Sequence, residues 1–325
     1  MADTKLEFNY YLSKIISYFY NLFGWLISFF NRENKNEDLT FTTINENNED
    51  KTYGIVNKII VPSRNIFEKA SDTYYKWCLN VLKRNEIPKH IAFIMDGNRR
   101  YARASNIKPY VAHLRGFESL EYNLEWLLYL GVKVVTVYAF SIENFKRTPS
   151  EVNAIFEVTK LKIKEFMTQG KFLAENGIKF RLLGDTSLLP DDLMDIANKS
   201  MEYTKNNDRF ILNICFAYTS RYEITHAIKN IVQEVQEEKL NVNDITEETI
   251  SNHLLTYKDC PSVDILVRTS NETRFSDFML WQICEDCQIN FVDVYWPVFN
   301  FYNMLPVLLS YQRTMKERKN QKKIQ

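Results

Sequence analysis

The spacing of apolar and polar residues changes several times along the 325-residue chain, and each change marks a different element. Residues 1–30 carry a dense aromatic and aliphatic run, including Phe19, Phe23, Trp25, Leu26, Phe29 and Phe30, with no charge between Lys14 and Arg32. A helix of that composition needs lipid or a partner to cover it. Its uncharged stretch falls just short of the ~20 residues of a spanning helix, and Tyr and Trp favour the headgroup level. It therefore reads as an amphipathic, membrane-associating helix lying in the interface, with a tilted span as the alternative. No basic leader precedes the run and no small-residue cleavage site follows Phe30, which argues against a signal peptide. Residues 31–65 begin with Asn, Glu, Asp and Thr, too polar as far as Lys51 to form a core, and read as a linker.

From 66 to 310 the pattern alternates between two periods. Tyr75, Leu79 and Leu82 give one apolar face to a short helix over 72–84, and Pro88 delivers the chain to an apolar strand, His90 to Met95. Helical spacing over 117–130 stops at Gly131, and the β-branched run 132–140 suits a buried strand. The pattern then predicts one long helix from Pro149 to Asn176, capped by Gly177, and a strand over 178–183. A helix opens at Pro190, and strands at 210–216 and 263–267 are separated by helical segments at 222–238 and 247–255. Strands alternating with helices imply an α/β domain with a central, mostly parallel sheet covered by helices on both faces. The tail 311–325 turns basic and is expected to fray.

Composition narrows the function. Forty-one basic against forty-one acidic residues leave no net charge, which excludes a non-specific nucleic-acid binder and leaves only local basic clusters to explain. Five scattered cysteines read as reduced thiols of a cytosol-facing protein.

The basic clusters lie at strand ends. In Asp96-Gly-Asn-Arg-Arg-Tyr-Ala, an acid ends the first strand, Gly97 permits a tight turn, and a helix starts beside Arg99, Arg100 and Arg103. Free helix N–H groups with arginines nearby form a place for phosphate oxygens. A lone carboxylate there suits Mg²⁺, which takes one or two carboxylates and fills its shell with water and phosphate. Ser141-Ile-Glu-Asn-Phe-Lys-Arg147 follows the second strand, and Arg268-Thr-Ser-Asn-Glu-Thr-Arg-Phe-Ser276 follows the last. In a parallel sheet these ends share one edge, so the motifs converge on one pocket with room for two diphosphates. Two other patterns imitate metal sites. Asp191-Asp-Leu-Met-Asp195 spells the aspartate-rich signature of trans-type prenyl synthases, but occurs once, directly after Pro190, where acids suit a helix start. Cys284-Glu-Asp-Cys287 has no second pair to complete a zinc site and reads as buried helical thiols.

The three motifs, with Trp281-Gln282 and Trp296-Pro297, resemble the cis-prenyltransferase family, in particular its dehydrodolichyl diphosphate synthase type, with undecaprenyl diphosphate synthase more distant. The likeness runs from about Asp72 to Leu309. It implies that the enzyme condenses isopentenyl diphosphate repeatedly onto an allylic diphosphate, usually farnesyl diphosphate, giving a long Z-polyprenyl diphosphate for dolichol-type glycan carriers. It implies that Asp96 and Asn144 are catalytic, Asp96 holding Mg²⁺ on the allylic diphosphate and Asn144 taking part in proton removal. Gly97, Asn98, Arg99, Arg100 and His113 would surround that diphosphate, and Arg147, Arg268, Arg274 and Ser276 would hold isopentenyl diphosphate. Tyr101, Ser141, Ile142, Glu143, Phe145 and Phe275 complete the implied substrate-binding set. The setting would be the cytosolic face of the endoplasmic reticulum membrane.

Four positions depart from the family's pattern. Pro109 stands where relatives carry an arginine, and Asn271 where they carry a glycine, a mild change because Asn tolerates φ > 0. Cys287 occupies the place of a glutamate, as in eukaryotic catalytic subunits, and 311–325 lacks an Arg-x-Gly unit. The resemblance therefore implies a dimer with a homologous scaffold subunit that supplies those donors. The rivals are a non-catalytic scaffold of the same fold and a trans-type synthase using Asp191 to Asp195.

Overall fold

The computed structural model describes residues 66–168, 172–257 and 259–321, so the aromatic segment 1–30 and the linker 31–65 lie outside the described residues. Two compact units divide after Ser71, and the second, Asp72–Gln325, carries the sheet. Helix α1 covers Ile66–Leu82, and β1, His90–Ile94, follows. Helices α2 (Asn98–Ala104) and α3 (Pro109–Leu130) lead to β2, Val134–Ser141. Helix α4 spans Pro149–Thr168 and the short α5 Phe172–Glu175, before β3, Ile178–Leu183. Helix α6 (Asp191–Thr204) precedes β4 (Phe210–Tyr218), and α7 (Ser220–Gln236) and α8 (Glu247–Asn252) precede β5, Ile265–Arg268. Strand β6, Gln288–Phe291, and helix α9, Phe301–Gln321, close the chain.

The six strands form one sheet in the order β3-β4-β2-β1-β5-β6, parallel at every pairing. Strands β1 and β4 are buried along their whole length and β2 nearly so, which is why their sequences read as continuous apolar runs. On one face Phe93 packs on Trp296, ring centroids 5.6 Å apart, and Phe140 on Phe156 of α4, also 5.6 Å. On the other, Ala92, Ile94, Tyr138, Cys215 and Leu266 pack on Phe278, Met279 and Ile283 from the segment after β5. From β1 the chain proceeds to β2 on one side, and from β5 to β6 on the other. The carboxyl ends of β1 and β5 thus flank a topological switch point, where open α/β sheets open a crevice.

Several elements depart from expectation. Of the long helix expected over 149–176, the described parts α4 and α5 are helical and end at Glu175, while residues 169–171 lie outside the described residues. Strand β6 has no signal of its own because Gln-Ile-Asn-Phe is a four-residue edge strand, half exposed. The segment holding Cys284 and Cys287 forms turns, not a helix, with Cys284 exposed and Cys287 partly buried, so the reading of buried helical thiols is corrected. The basic tail stays helical to Gln321 because side chains moor it. Tyr311 OH donates to Asp264 Oδ1 (3.1 Å), Gln312 Nε2 to the Leu82 carbonyl (2.8 Å), and Arg318 pairs with Asp286 (3.0 Å).

His90, at the start of β1, is fully buried; its Nδ1 donates to the Pro261 carbonyl (2.8 Å), leaving Nε2 to accept from Thr136 Oγ1 (2.8 Å). Burial pushes its pKa down to about 4, against the weaker opposing pull of Pro261 and Asp264. A histidine depressed on folding contributes stability that is complete above its unfolded pKa, about 6.5, and is lost as pH falls toward 4. From pH 7 to pH 5 that loss is on the order of 2 kcal/mol. Urea unfolding at the two pH values should show it in the wild type and a clearly smaller drop in His90→Gln; equal drops would refute it.

Candidate active site

Above the switch point lies an open cleft of about 390 Å³. Strand β1 ends at Ile94, paired in register with Arg268 at the end of β5. Two residues beyond Ile94, the Asp96 backbone N–H donates to Thr269 Oγ1 (2.9 Å), and its carboxylate turns to Arg268, whose Nη2 lies 2.9 Å from Oδ2. Gly97 N–H donates to Oδ1 (2.6 Å), and Arg100 reaches the same oxygen at 3.5 Å. Burial alone would raise the Asp96 pKa, but Arg268, the Gly97 N–H and Arg100 together hold it below the usual carboxylate value. The group is an anion at neutral pH.

Arg268 is only 3% exposed. Its Nη1 donates to the Arg274 carbonyl and to Ser276 Oγ (2.9 Å), so one guanidinium joins Asp96 to the third motif. Arg100 pairs with Glu272 (2.9 Å), which also takes Arg274. Across the cleft Arg147 pairs with Glu151 (3.1 Å), with Arg99 at 3.8 Å from the same oxygen. Asn144 sits in the 3₁₀ turn Ile142–Lys146, fixed by a capping box in which Ser141 N–H donates to its Oδ1 (3.1 Å) and Glu143 N–H donates to Ser141 Oγ (3.2 Å). His113 of α3 is driven down to about 4 by burial and by the charges of Arg147 and Arg99, with Glu151 opposing, so its ring is neutral.

The structure thus brings Asp96, Gly97, Asn98, Arg99, Arg100, His113, Ser141, Asn144, Arg147, Arg268, Arg274 and Ser276 to one lining. Five of the other expected residues lie outside it. Tyr101 receives a hydrogen bond from Arg115 (2.6 Å), Phe145 packs on Phe140 (5.0 Å), and Phe275 packs against the core and Phe291. Ile142 and Glu143 belong to the same turn as Asn144, and Glu143 pairs with Lys146. Missed were Glu272 and Tyr138, which line the cleft, and Glu151, the counter-charge of Arg147. Arg147 and Glu151 at i,i+4 across a helix start were a readable pairing signal. Asp191, Asp192 and Asp195 are exposed on α6, with Asp192 paired to Lys160 (2.6 Å), and none lines the cleft. The trans-type reading is therefore set aside.

An apolar slot of about 40 Å³ leads away beneath the cleft, lined by Phe117 and Leu120 of α3, Ile155 and Val158 of α4, Phe216 and Trp296. It shares Met95, Asn98, His113 and Ala139 with the cleft. Within it and at its mouth, Asn98 Oδ1, His113 Nε2 and Thr159 Oγ1 are buried without a partner. Among the described residues no three His, Cys, Asp or Glu side chains converge. A cation here would be held by Asp96 and by oxygens of a bound ligand.

Residues 94–319 match the Prenyltransf family, described as "Putative undecaprenyl diphosphate synthase". The chain is a cis-prenyltransferase. It is 43% identical over 247 residues to the human dehydrodolichyl diphosphate synthase complex subunit DHDDS, covering 76% of this chain and 74% of that one. A tritrans,polycis-undecaprenyl-diphosphate synthase (geranylgeranyl-diphosphate specific) of Pyrococcus abyssi is 38% identical, covering 80% of this chain and 97% of that one. Among solved structures, lavandulyl diphosphate synthase from Lavandula x intermedia, in complex with dimethylallyl diphosphate, superposes with a TM-score of 0.65 at 28% identity, covering 69% of this cis-prenyltransferase and 95% of that chain.

Gly97 has φ +101°, and a Cβ there would lie 1.9 Å from Ser270 Oγ and 2.8 Å from the Tyr295 ring. Gly131 has φ +93° with nothing within 4 Å. Both alanine variants meet the left-handed strain, but only Gly97→Ala displaces the Asp96 corner of the cis-prenyltransferase. Since misplacement by about 1 Å costs roughly 100-fold in rate, Gly97→Ala should fall to about a hundredth of wild-type turnover while Gly131→Ala stays within threefold. Turnover by Gly97→Ala above a tenth of wild type would contradict this.

Proposed function

We propose that this enzyme condenses isopentenyl diphosphate repeatedly onto farnesyl diphosphate, with Z geometry, to build a long polyprenyl diphosphate for dolichol-type glycan carriers. The observation that carries the reading is one cleft with arginines on both sides of the Asp96 carboxylate and an apolar slot adjoining it. Two polyanionic heads and one growing hydrocarbon tail need that division.

On this reading the Gly97–Arg100 corner and His113 hold the allylic diphosphate, and Arg268, Arg274 and Ser276, with Arg147, hold that of isopentenyl diphosphate. The site fits Mg²⁺: Asp96 is anionic and partly solvent-facing, and Arg268, the Gly97 N–H and Arg100 leave part of its acceptor capacity free. When bound, Mg²⁺ neutralises charge on the departing diphosphate. The arginines do the same by fixed geometry, and lower the barrier because they need no reorganisation as the C–O bond breaks. The allylic C1 then bonds to C4 of isopentenyl diphosphate, whose C2 loses a proton. On this reading Asn144, fixed by its capping box, assists that loss by hydrogen bonding, and the proton passes to an oxygen of the released diphosphate, because a neutral amide cannot hold it.

Two further parts of the reading concern setting and partner. Among the described residues no helix is long and apolar enough to cross a membrane, so the proposed seat on the cytosolic face of the endoplasmic reticulum rests on the aromatic segment 1–30. The human relative is called a complex subunit, as are those of Mus musculus and Schizosaccharomyces pombe. In this chain burial pushes the Cys287 thiol up to about 12, so it stays neutral and cannot replace a glutamate. No glycine follows Gly184 anywhere in the sequence, so the tail cannot supply an Arg-x-Gly backbone donor. These gaps support a homologous scaffold subunit that completes the diphosphate site.

Asp96→Ala should lose at least about 100-fold in condensation of labelled isopentenyl diphosphate onto farnesyl diphosphate with Mg²⁺, since each ~1.4 kcal/mol of lost transition-state stabilisation is tenfold. Asp191→Ala and Asp195→Ala should stay near wild type, and the reverse pattern would overturn the assignment. The homogeneous chain should also turn over at least tenfold more slowly than material co-purified from its native source, each missing charged hydrogen bond being worth about 1.5 to 3 kcal/mol. Equal activity with a single chain type in both preparations would remove the partner.

A further inference from the structure

The loop that carries Arg274 and Ser276 has no glycine, yet it turns through left-handed backbone at Ser276 (φ 50°), Asp277 (φ 60°) and Met279 (φ 47°). Side chains other than glycine resist that conformation, so something must hold it. Below, Phe278 and Met279 are fully buried, and Tyr138 OH donates to the Ser276 carbonyl (3.2 Å). Behind, the first turn of the 17-residue helix α7 closes on Asp277. Ser220 N–H donates to the Asp277 carbonyl (2.7 Å), Arg221 N–H to Oδ1 (3.1 Å) and Arg221 Nε to Oδ2 (2.7 Å). In return Leu280 N–H donates to Ser220 Oγ (3.0 Å).

The Asp277 side chain is 12% exposed and does not line the cleft. Its carboxylate caps a helix N-terminus from another segment, where free N–H groups and the helix dipole favour an anion. Arg221 is 75% exposed, so its charge adds little, and the backbone N–H bonds carry the attachment. One residue before this anchor, Ser276 Oγ meets Arg268 Nη1 (2.9 Å) inside the cleft.

We propose that Asp277 is a positioning residue for one half of the cleft: by tying the left-handed turn to α7, it sets Ser276 Oγ and the Arg274 carbonyl against Arg268. This rests on the reading that Arg268, Arg274 and Ser276 hold isopentenyl diphosphate. Among the described residues the allylic half, built on α2 and α3, shows no hydrogen bond or ion pair to α7. Loss of the anchor should therefore separate the two substrates.

The test is steady-state kinetics of the full-length chain, with any subunit that co-purifies, varying each substrate in turn. Asp277→Ala should raise KM for isopentenyl diphosphate at least tenfold and leave KM for farnesyl diphosphate within twofold. Asp277→Asn, which keeps an acceptor for the Arg221 N–H, should recover most of the difference. If both KM values rise together, with Asn no better than Ala, or if neither moves, the proposal is overturned. Ser276→Ala separates the two claims. No rise in KM for isopentenyl diphosphate in that variant means the underlying half-site assignment fails, whereas a rise there without one in Asp277→Ala overturns the positioning role alone. Because the attachment runs through the backbone, Arg221→Met, which trims only an exposed side chain, should leave the KM for isopentenyl diphosphate unchanged. Should Asp277→Ala not fold, Ser220→Ala, which removes the acceptor of the Leu280 N–H, decides instead: a two- to threefold rise in the KM for isopentenyl diphosphate supports the anchor, and no change overturns it.

Discussion

The contact between Arg268 and Asp96 joins the fold to its chemistry. It spans the switch point between β1 and β5, where the register sets Ile94 against Arg268 and the two chains leave in opposite directions. A guanidinium only 3% exposed must find acceptors, and it takes the carboxylate, the Arg274 carbonyl and Ser276 Oγ. Such a pair is weak support for a fold, because desolvation offsets its attraction, yet removing one partner strands the other at a cost of about 3–5 kcal/mol. Its value lies in placing a cation and an anion side by side at the floor of the cleft, and the third motif is wrapped around it.

The other cations are kept in place by modest counter-charges. Glu151 takes Arg147 and Arg99, and Glu272 takes Arg100 and Arg274, so arginines that would repel one another converge without a ligand. A diphosphate offers more charge and more acceptor oxygens than a single carboxylate, and matches the guanidinium fork. On the proposed reading a diphosphate takes the place of these glutamates. Burial above all keeps His113 neutral, and the same crowding of positive charge adds to it, since a further cation there would face Arg147 and Arg99.

Most of this architecture was legible because the central strands are buried on both faces and leave long β-branched runs, as at Val134 to Phe140. Asp96, Arg147 and Arg268 stood out as charges at the ends of such runs. Three things were not legible. Strand β6 owes its existence to pairing with β5, and nothing in Gln-Ile-Asn-Phe demands it. Cys284 and Cys287 were read as helical thiols, but the segment leading to them holds Asp277 and Met279 in left-handed backbone, fixed by α7 and by burial of Phe278. The tail stays helical through contacts with residues more than 200 positions away, such as Gln312 with the Leu82 carbonyl. Asn271, read as tolerant of a glycine's place, does adopt φ 55°.

The unequal sizes of the two spaces bear on how a product would grow. The charged cleft measures about 390 Å³ and the apolar slot about 40 Å³, room for no more than a few waters. A tail that lengthens by five carbons at each cycle soon exceeds that slot, so on the proposed reading the walls must part. Those walls are α3 and α4, which meet over the slot through Phe117, Leu120, Ile155 and Val158. Exchanging contacts between such side chains for contacts with a hydrocarbon tail keeps apolar surface out of water throughout, and so costs little. The charged corner at Asp96 is built on β1, α2 and β5 instead. Because His113 of α3 also lines the cleft and no residue of α4 does, on the proposed reading α4 is the wall that can yield while the Asp96 corner keeps its geometry.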